Sequence, residues 1–407
     1  MPHDAPLRDA HTLDALLLDA PIQDVHDDQA TDLKRDAPTC PGLDPIDEPA
    51  AQLFVAPTGN DGAAGTMANP LNTLAEAATR FSTGGTIIVR GGVFPAQPFF
   101  NATGTASKRL VIRAAEGETP IFDGAGVTAD WSAVIRLGKA QHVVVQGLEV
   151  RNCRASHCQG IDASVVLNLT IRDCHIHHMD GAGARFNGKT LRMEGNHLHD
   201  LALTNENNVD FPDGGWPTCM GTTPNRNTPS QPHTADVVIR NNRIEDCWGE
   251  GIGLFFASNA LVEGNIVDNP FNVGIYLDNS FGVEVSRNFV RVVRGRHGGA
   301  GTAILMGSEP YDFWGLAAAS THDVEISNNV VVGGGGVAWW KSALTGTENT
   351  YARVSVQHNT IIASSEGALG FAATDIGLLA PSANVAQNNV LIEADASSLG
   401  NPAGWQL

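Results

Sequence analysis

The sequence predicts an all-β solenoid, a fold in which one short coil of strands repeats along the chain. Nine segments share an apolar residue, two further residues, a fourth position that is mostly Asn, one more residue and a second apolar residue. The shortest spacings between fourth positions are 22 and 23 residues, and a glycine with an alternating apolar run follows most of them. Self-similarity at such a period indicates stacked coils. The fourth positions are Leu148, Cys174, Asn196, Asn242, Asn265, Asn288, Asn329, Asn359 and Asn388.

The first element in chain order is an acidic N-terminal tether, residues 1 to 52. Residues 1 to 50 hold twelve Asp or Glu against three Lys or Arg, and Asp recurs every five residues from Asp4 to Asp24. A mixture of Asp, Ala and Pro lacks the apolar surface that offsets ordering entropy, so we expect disorder. The composition resembles the Asp-Ala-Pro tethers of some bacterial surface lipoproteins, which implies a secreted or cell-surface location. No signal peptide or apolar run of transmembrane length is visible, so we expect a soluble monomer.

The folded region is predicted to begin at residue 53 with a strand and a short capping helix. Thr73 followed by Glu76 is typical of a capping box, in which each side chain accepts the other residue's backbone N–H. The stretch TIIVRGG then predicts a strand that leads into a glycine-rich turn. A helix at this point would close one end of the solenoid.

The coils follow to about residue 400, with an insertion at 204 to 234 that is expected to overhang the outer face. Each coil of ~22 residues would hold three short strands, and neighbouring coils would stack ~4.8 Å apart, the hydrogen-bonding distance between strands. Asn suits the bend at the fourth position because it tolerates left-handed backbone angles. Asn side chains on successive coils also bond one another in amide ladders.

These repeats resemble those of the pectate-lyase-like superfamily, over residues 53 to 400. The resemblance implies a single-stranded right-handed parallel β-helix that forms one domain. It is specific for the fold, because a shared fold does not imply a shared function.

Four histidines occupy equivalent places on two consecutive coils. His175 and His197 follow their fourth positions by one residue, and His177 and His199 follow theirs by three. The repeat therefore stacks the two pairs on one outward sheet, where imidazoles at strand spacing suit zinc, nickel or copper. The alternative is a polar face that meets solvent, since the next coil carries an Arg and a Glu at these positions.

The cysteines indicate an exported protein. Cys153 and Cys158 flank one loop, and Cys219 lies in the insertion near the coil that carries Cys247, so these are two candidate disulfides. The connectivity itself cannot be deduced from sequence. Cys174 occupies an inward slot and is expected to be a buried thiol.

Alternation on the strand after each glycine places two columns of side chains outward. The first column holds Asp162, Arg185 and Asp210, and the second holds Asn187 and Asp278. Charged side chains on adjacent coils make a polar patch, and aromatic residues beside it suit the stacking of sugar rings. A surface ladder of salt bridges is the alternative interpretation. The further substrate contacts that we expect are Phe255, Tyr276 and Trp216.

The net charge excludes nucleic acid as a partner. The formal net charge is −19, whereas nucleic-acid binding needs a basic face that neutralises phosphates. The 44 glycines and 17% charged residues are typical of a turn-rich β protein rather than a helical one.

Within the superfamily, the chain resembles calcium-dependent polysaccharide lyases. Their calcium motifs are similar to DGAGAR and VDFPDGGW, which hold Asp180, Asp210 and Asp213. The resemblance implies that calcium bridges a uronate carboxylate of an acidic polysaccharide and acidifies the adjacent C5 proton. No Lys stands where the family's base would follow, in GEGIGLFF, so Arg185 or Lys189 is the expected substitute.

Two other functions stay open on the residues alone. RHGGAGTAILMGSEP resembles a polygalacturonase motif, in which His297 would assist Asp278 or Glu309 in an inverting hydrolysis. The other is a non-catalytic β-helix that binds glycans or acts as a spacer at the cell surface. Detection of an unsaturated uronate product separates the lyase from both, since only β-elimination makes it.

Overall fold

The computed structural model describes residues 48–208, 217–225, 230–292, 301–309, 311, 316, 321–339, 351–362, 369–370, 384–392 and 405–406. The predicted tether lies outside these residues up to residue 47, and its disorder stays a prediction. No helix in the described part of the chain is long and apolar enough to cross a membrane.

The described strands form two sheets and pair in parallel within each, which confirms the predicted solenoid. The large sheet has 20 strands and the small sheet has 11. The large sheet consists of β1 (Gln52–Val55), β2 (Gly85–Val89), β4 (Gln97–Thr103), β5 (Leu110–Ala114), β7 (Ala133–Gln146), β9 (Gln159–Arg172), β11 (Ala184–Glu194), β13 (Thr218–Thr222), β14 (Thr234–Arg240), β16 (Glu250–Phe255), β17 (Ala257–Glu263), β19 (Val273–Asp278), β20 (Phe281–Ser286), β22 (Thr302–Gly307), β23 (Thr321–Ser327), β25 (Gly335–Trp339), β26 (Tyr351–Gln357), β28 (Leu369–Gly370), β29 (Asn384–Gln387) and β31 (Trp405–Gln406). The small sheet consists of β3 (Gly92–Pro95), β6 (Pro120–Asp123), β8 (Glu149–Cys153), β10 (His175–Met179), β12 (His197–Leu201), β15 (Arg243–Cys247), β18 (Ile266–Pro270), β21 (Phe289–Arg291), β24 (Val330–Val332), β27 (Thr360–Ile362) and β30 (Val390–Ile392).

Each regular coil contributes three strand segments, as predicted. One small-sheet strand follows the fourth position of the motif, and two large-sheet segments come after it. In β7 and β9 the two large-sheet segments join into one continuous strand of 14 residues. Apolar side chains at the same register point inward from coil after coil and build one continuous core. One such inward column is Ile135, Ile161, Ala184, Met220, Ile252, Ile275, Ile304 and Val337.

A short helix, α1 (Leu74–Arg80), packs its buried Leu and Ala side chains on the core, as predicted. Thr73 caps this helix, because its Oγ1 accepts the Glu76 N–H at 3.2 Å. The second half of the predicted capping box is wrong. Asp61 Oδ1 accepts the Thr73 N–H at 2.9 Å, and Glu76 instead accepts a bond from Arg80 Nε at 2.7 Å.

Residues with left-handed backbone angles form a corner of every coil. The residue before each fourth position has a positive φ, such as 53° at Asp173 and 57° at Arg287. Gly, Asn and Asp adopt these angles at the lowest steric cost. We expected this tolerance at the fourth position, and the structure places it one residue earlier. The corner residues are Gly147, Asp173, Gly195, Asn241, Gly264, Arg287, Asn328, His358 and Asn388.

Inward Asn side chains form the predicted amide ladder. From Asn242 onwards, each Asn Oδ1 accepts the backbone N–H and the Nδ2–H of the ladder Asn on the preceding coil, at 2.9–3.0 Å. Asn196 Oδ1, at the start of the ladder, accepts the Cys174 N–H at 3.0 Å. The Nδ2 also donates to a carbonyl of the preceding coil, as Asn265 does to Ile239 O at 2.9 Å. Every ladder amide therefore has partners for its donors and its acceptor. The ladder residues are Asn196, Asn242, Asn265, Asn288, Asn329, Asn359 and Asn389.

The ladder ends one residue later than predicted. Asn389, and not Asn388, accepts the Asn359 N–H at 3.0 Å, while Asn388 takes the left-handed corner with a φ of 57°. The motif was placed one residue too early because Asn388 and Asn389 are both Asn. Val385 also fitted the apolar first position of the motif when Asn388 was taken as the fourth. At the other end, Leu148 and Cys174 fill inward slots as predicted, since both are buried.

The insertion at 204 to 234 contains a regular strand of the large sheet. β13 pairs with β11 on one side and with β16 on the other, so this part does not overhang the outer face. A short 3-10 segment, Leu203–Asn208, precedes it. Residues 209–216 and 226–229, on the two sides of β13, lie outside the described residues. The long spacing in the motif thus holds one ordinary coil, in which β13 and β14 both pair with β11.

Two disulfides join Cys153 to Cys158 and Cys219 to Cys247, which confirms both predicted pairs. The second disulfide links β13 to the end of β15. Cys174 is a free buried thiol, as predicted, and burial raises its pKa to about 12. A thiol that stays protonated is a poor nucleophile, so Cys174 serves packing.

Asn265→Ala is expected to destabilise the solenoid by at least about 2 kcal/mol, because the Asn242 N–H and Nδ2–H both lose their acceptor. Urea titration measures the free energy of unfolding. Asn241→Gly is the matched control, since it removes an exposed Asn at a corner where Gly readily adopts the observed φ of 54°. An Asn265→Ala variant as stable as the parent chain would show that the ladder contributes little.

Candidate active site

The outward column on the large sheet holds three charged residues on consecutive coils, of which Asp162 and Arg185 were predicted. Arg136 pairs in register with Asp162, and Asp162 with Arg185. The next position is Gly221 and not Asp210 as predicted, because β13 is the strand that pairs with Arg185. Alternation along the sequence favoured Asp210, but the strand at this place, β13, begins only at Thr218. We call Arg136, Asp162 and Arg185 the arginine row.

The arginine row encloses a buried carboxylate between two partly exposed cations. Arg136 Nε donates to Asp162 Oδ2 at 2.9 Å, and Arg185 Nε lies 4.0 Å from Asp162 Oδ1. The Asp162 side chain is 8% exposed, against 32% for Arg136 and 29% for Arg185. Asp162 Oδ1 has no hydrogen-bond partner among the described residues. A buried polar atom without a hydrogen-bond partner marks a candidate functional site.

A shallow groove of about 440 Å³ lies beside the arginine row. Lys139 and Val165 in its wall have φ values of 48° and 57°, which are uncommon for Lys and strained for a β-branched residue. Arg136 and Lys139 give the groove two cations in a chain with a net charge of −19, so the groove suits an anionic ligand. The lining residues are Asn101, Arg136, Leu137, Gly138, Lys139, Ser164 and Val165.

Asn187 and Lys189, two predicted site residues, follow Arg185 on β11 and have different partners. Asn187 is buried, accepts the Val165 N–H at 2.7 Å and donates to Thr223 Oγ1 at 3.1 Å. It therefore supports the wall of the groove. Lys189 has a side chain that is 64% exposed, with its Nζ 3.8 Å from Asp236 Oδ2. Neither contact tests the roles in substrate binding and catalysis, which stay predictions.

Asp180, one of the three predicted calcium ligands, lies at the corner between β10 and β11. Its Oδ2 accepts the His157 N–H at 2.7 Å. The other two, Asp210 and Asp213, lie outside the described residues, as does Trp216. Carboxylate oxygens are what Ca²⁺ prefers, but the ion needs about six to eight oxygen ligands, and Asp180 supplies only part of such a set. The calcium site therefore stays a prediction.

The aromatic end of the outward column is buried, and not open as predicted. Tyr276 is 4% exposed and Asp278 is 0% exposed, whereas Phe255 is half-buried. The physical reason is that Glu309 and Tyr311, which follow β22, bond to these side chains from above. Tyr276 and Asp278 consequently do not line an open surface in this structure.

Three carboxyl groups meet in this buried region, and we call Glu250, Asp278 and Glu309 the acid cluster. Tyr311 OH donates to Asp278 Oδ2 at 2.6 Å, and the Glu309 N–H donates to Asp278 Oδ1 at 3.1 Å. Tyr276 OH donates to Glu309 Oε2 at 2.7 Å. The charges of Asp278 and Glu309 also act on Glu250. Such a convergence of titratable groups is common in active sites.

Burial raises the pKa of two members of the acid cluster, Asp278 and Glu250, and favours their protonated forms. Desolvation, with repulsion from the Glu309 carboxylate, raises the pKa of Asp278 to about 8. Burial likewise raises the pKa of Glu250 well above its ordinary value. A carboxyl group that is neutral at pH 7 suits a general acid. Glu250 and Tyr311 were not predicted from the sequence, although the acid that precedes the apolar run of GEGIGLFF was a usable signal.

The four histidines that were predicted to stack lie on the small sheet, and they stack as predicted. His175 pairs in register with His197, and His177 with His199. Burial, followed by repulsion from neighbouring imidazoles, lowers the pKa of both His175 and His177. These two rings are therefore neutral at pH 7.

Two family models match the chain. Residues 53–214 match the Pel9A-like right-handed β-helix region, and residues 225–350 match a right-handed β-helix region. A relative, pectate lyase PEL9 of Emericella nidulans, is 42% identical over 89 residues, which is 21% of this chain and 22% of that lyase. The chain thus spans less than a quarter of that relative's length.

Solved structures with a similar fold include an enzyme and an adhesin. Pectate lyase Pel9A is 15% identical at a TM-score of 0.50, over 88% of this chain and 82% of that one. PfbA, a surface adhesin of Streptococcus pneumoniae, is 12% identical at a TM-score of 0.54, over 78% and 84% of the two chains. At such identities the likeness shows the fold alone, and it confirms the predicted right-handed parallel β-helix.

Asp278→Asn is expected to raise Tm by about 2 to 4 °C at pH 8, or roughly 1 kcal/mol, and by much less near pH 4. The pKa of Asp278 is about 8 in the folded chain against an ordinary 3.8, so the unfolded chain alone loses this proton as pH rises. Stability from this group is therefore present below about pH 4 and declines towards pH 8. Thermal melts at both pH values test this, with exposed Asp130→Asn as control. Equal shifts at the two pH values would contradict it.

Proposed function

The chain belongs to the pectate-lyase-like superfamily of right-handed parallel β-helices, and from that premise we propose that it is a polysaccharide lyase. The proposed substrate is an acidic polysaccharide that contains uronate, met outside the cell or at its surface. The observation that carries the proposal is the arginine row, Arg136, Asp162 and Arg185, beside a cationic groove.

The arginine row has the chemistry that recognises a uronate. A guanidinium group binds a carboxylate through two parallel N–H bonds, which Lys cannot reproduce. Arg136 and Arg185 stand on the coils either side of Asp162, so two cations face successive places along the solenoid. Asp162 Oδ2 holds Arg136 Nε at 2.9 Å and orients that guanidinium. A polyanion laid along the coils would meet these cations in turn.

β-Elimination requires a base for the C5 proton of the uronate. Removal of that proton forms the C4–C5 double bond, and the C4–O bond breaks with its electron pair on the leaving sugar oxygen, which takes up a proton. We assign the base to Arg185, which lies in the arginine row. Lys189 is the alternative base. Each candidate has a carboxylate nearby, with Asp236 3.8 Å from Lys189 Nζ and Asp162 4.0 Å from Arg185 Nε. Asp162 positions Arg185 in this scheme.

Calcium is the proposed cofactor, with Asp180, Asp210 and Asp213 as its ligands. When bound, calcium would neutralise the substrate carboxylate and so make the neighbouring proton more acidic. The guanidinium group of Arg136 would supply part of the same neutralisation. The carboxylate of Asp180 fits as an oxygen donor of the required type.

A glycoside hydrolase is the second candidate, and the acid cluster favours it. Asp278, with a pKa of about 8, is neutral at pH 7 and suits protonation of a leaving sugar oxygen. Glu309 or Glu250 would supply the second carboxyl group that such hydrolases need. Asp278 is fully buried, however, and a sugar must reach it first. This requirement is why we place the lyase ahead of the hydrolase.

Incubation with galacturonate, mannuronate and guluronate homopolymers, with calcium present, separates the functions. The lyase gives both new reducing ends and the ultraviolet absorbance of an unsaturated uronate. A hydrolase gives reducing ends without that absorbance, and a glycan-binding spacer gives neither. Retention of the chain in a gel that contains the polymer reports binding alone. Reducing ends without the absorbance, or no product of either kind, would contradict the lyase proposal.

Arg185→Ala and Asp210→Asn are expected to affect different steps. Loss of the base lowers kcat by about 100-fold or more and leaves calcium affinity unchanged, whereas Asp210→Asn weakens calcium binding and activity together. Calorimetric titration with calcium chloride, beside the product assay, measures both. Arg243→Gln on the small sheet is the matched control. Unchanged calcium affinity in Asp210→Asn would remove Asp210 from the calcium site.

A further inference from the structure

The histidines of the small sheet take no part in the proposed lyase reaction. The rings of His175 and His197 stack with centroids 5.1 Å apart, and those of His177 and His199 with centroids 4.9 Å apart. The ring planes within each pair differ by 10° and 5°. Parallel pairing of β10 with β12 holds these imidazoles in register on two adjacent coils.

Ring nitrogens of three of these histidines converge on one place. His175 Nε2 and His199 Nε2 lie 2.8 Å apart. His175, His197 and His199 each present a ring nitrogen, and the three atoms lie within 4.8 Å of one another. Nitrogen ligands of a tetrahedral zinc lie about 3.3 Å apart, because each Zn–N bond is about 2.0–2.1 Å long. Small side-chain rotations therefore bring all three nitrogens to one ion.

In two of these histidines, a ring nitrogen lies within hydrogen-bonding distance of a carboxylate. Asp200 Oδ2 lies 2.7 Å from His199 Nδ1, and Glu245 Oε2 lies 2.8 Å from His197 Nε2. In metal sites a carboxylate commonly accepts the N–H of a ligating His, which fixes the tautomer and orients the other nitrogen towards the ion. For His199 that other nitrogen is Nε2, the atom that meets His175.

We propose that His175, His197 and His199 form a binding site for a divalent transition-metal ion of the zinc class. Imidazole nitrogens suit zinc, nickel and copper, whereas calcium takes oxygen ligands, so this site is separate from the proposed calcium site. Asp200 and Glu245 act as positioning residues. The side chains of His197 and His199 are 44% and 23% exposed, so an ion reaches them from solvent.

The charges around the three ligands favour a bound cation. Arg151 and Arg243 stand on the flanking strands, and each already pairs with a carboxylate: Arg151 with Glu149 at 2.9 Å, and Arg243 with Glu245 at 2.7 Å. Asp200 adds a third carboxylate close to the rings. Three acids against two guanidinium groups leave a local negative charge, which attracts a divalent ion.

Calorimetric titration of the untagged full chain with zinc chloride, after removal of metals by a chelator, tests the site. We expect one ion per chain with a Kd of about 1 μM or tighter, and a Tm that rises with zinc. His175→Gln and His199→Gln should each weaken binding by about 100-fold or more, and Asp200→Asn by about 10- to 100-fold. His358→Asn, an exposed His at a left-handed corner, is the matched control and should keep the parent affinity.

A chain that shows neither heat of zinc binding nor a zinc-dependent rise in Tm would overturn the proposal. Zinc binding that persists unchanged in a variant with both His175→Gln and His199→Gln would also overturn it, because the ion would then lie elsewhere. Melting curves without zinc check that each variant is folded. Asp200→Asn retains every imidazole and serves if a histidine variant unfolds.

Discussion

The inward amide ladder is the interaction on which the rest of this structure depends. A coil that turns between sheets leaves buried N–H groups that no neighbouring strand can bond, and each would cost about 1–3 kcal/mol. Each Asn Oδ1 in the ladder accepts one of these backbone N–H groups, and Asn265 Oδ1, for example, accepts both the backbone N–H and the Nδ2–H of Asn242. The ladder thereby stabilises the bend and fixes how one coil lies on the next.

A fixed register converts spacing along the sequence into columns in space. Residues at the same distance from the ladder meet on the surface, although ~22 residues separate them in the chain. The arginine row and the stacked histidines, His175 with His197 and His177 with His199, each arise in this way, with side chains held on strands of a rigid scaffold. This gives the precision that binding sites need, and it separates the sugar-binding face proposed for the large sheet from the metal site proposed for the small sheet.

The sequence predicted the regular coils more accurately than the non-repeating segments between them. Register along the motif predicted the stacked histidines and most of the ladder, because both depend on the repeat. The two disulfide pairs were predicted from the loop that Cys153 and Cys158 flank and from the closeness of Cys219 to the coil of Cys247. The predicted register misplaced Asn388, where two adjacent Asn residues gave the motif two matches. It also misplaced Asp210, whose place Gly221 takes because β13 begins only at Thr218. Burial of Asp278 was beyond prediction, since Tyr311 covers it from a segment without any period.

The most direct test of the central claim is a crystal structure of the parent chain soaked with a uronate trisaccharide in calcium-free buffer, where turnover is expected to be slow. The account predicts a sugar carboxylate within about 3 Å of the guanidinium nitrogens of Arg136 or Arg185, along the groove of the large sheet. A trisaccharide bound over Asp278, or on the small sheet, with no sugar at the arginine row, would contradict it.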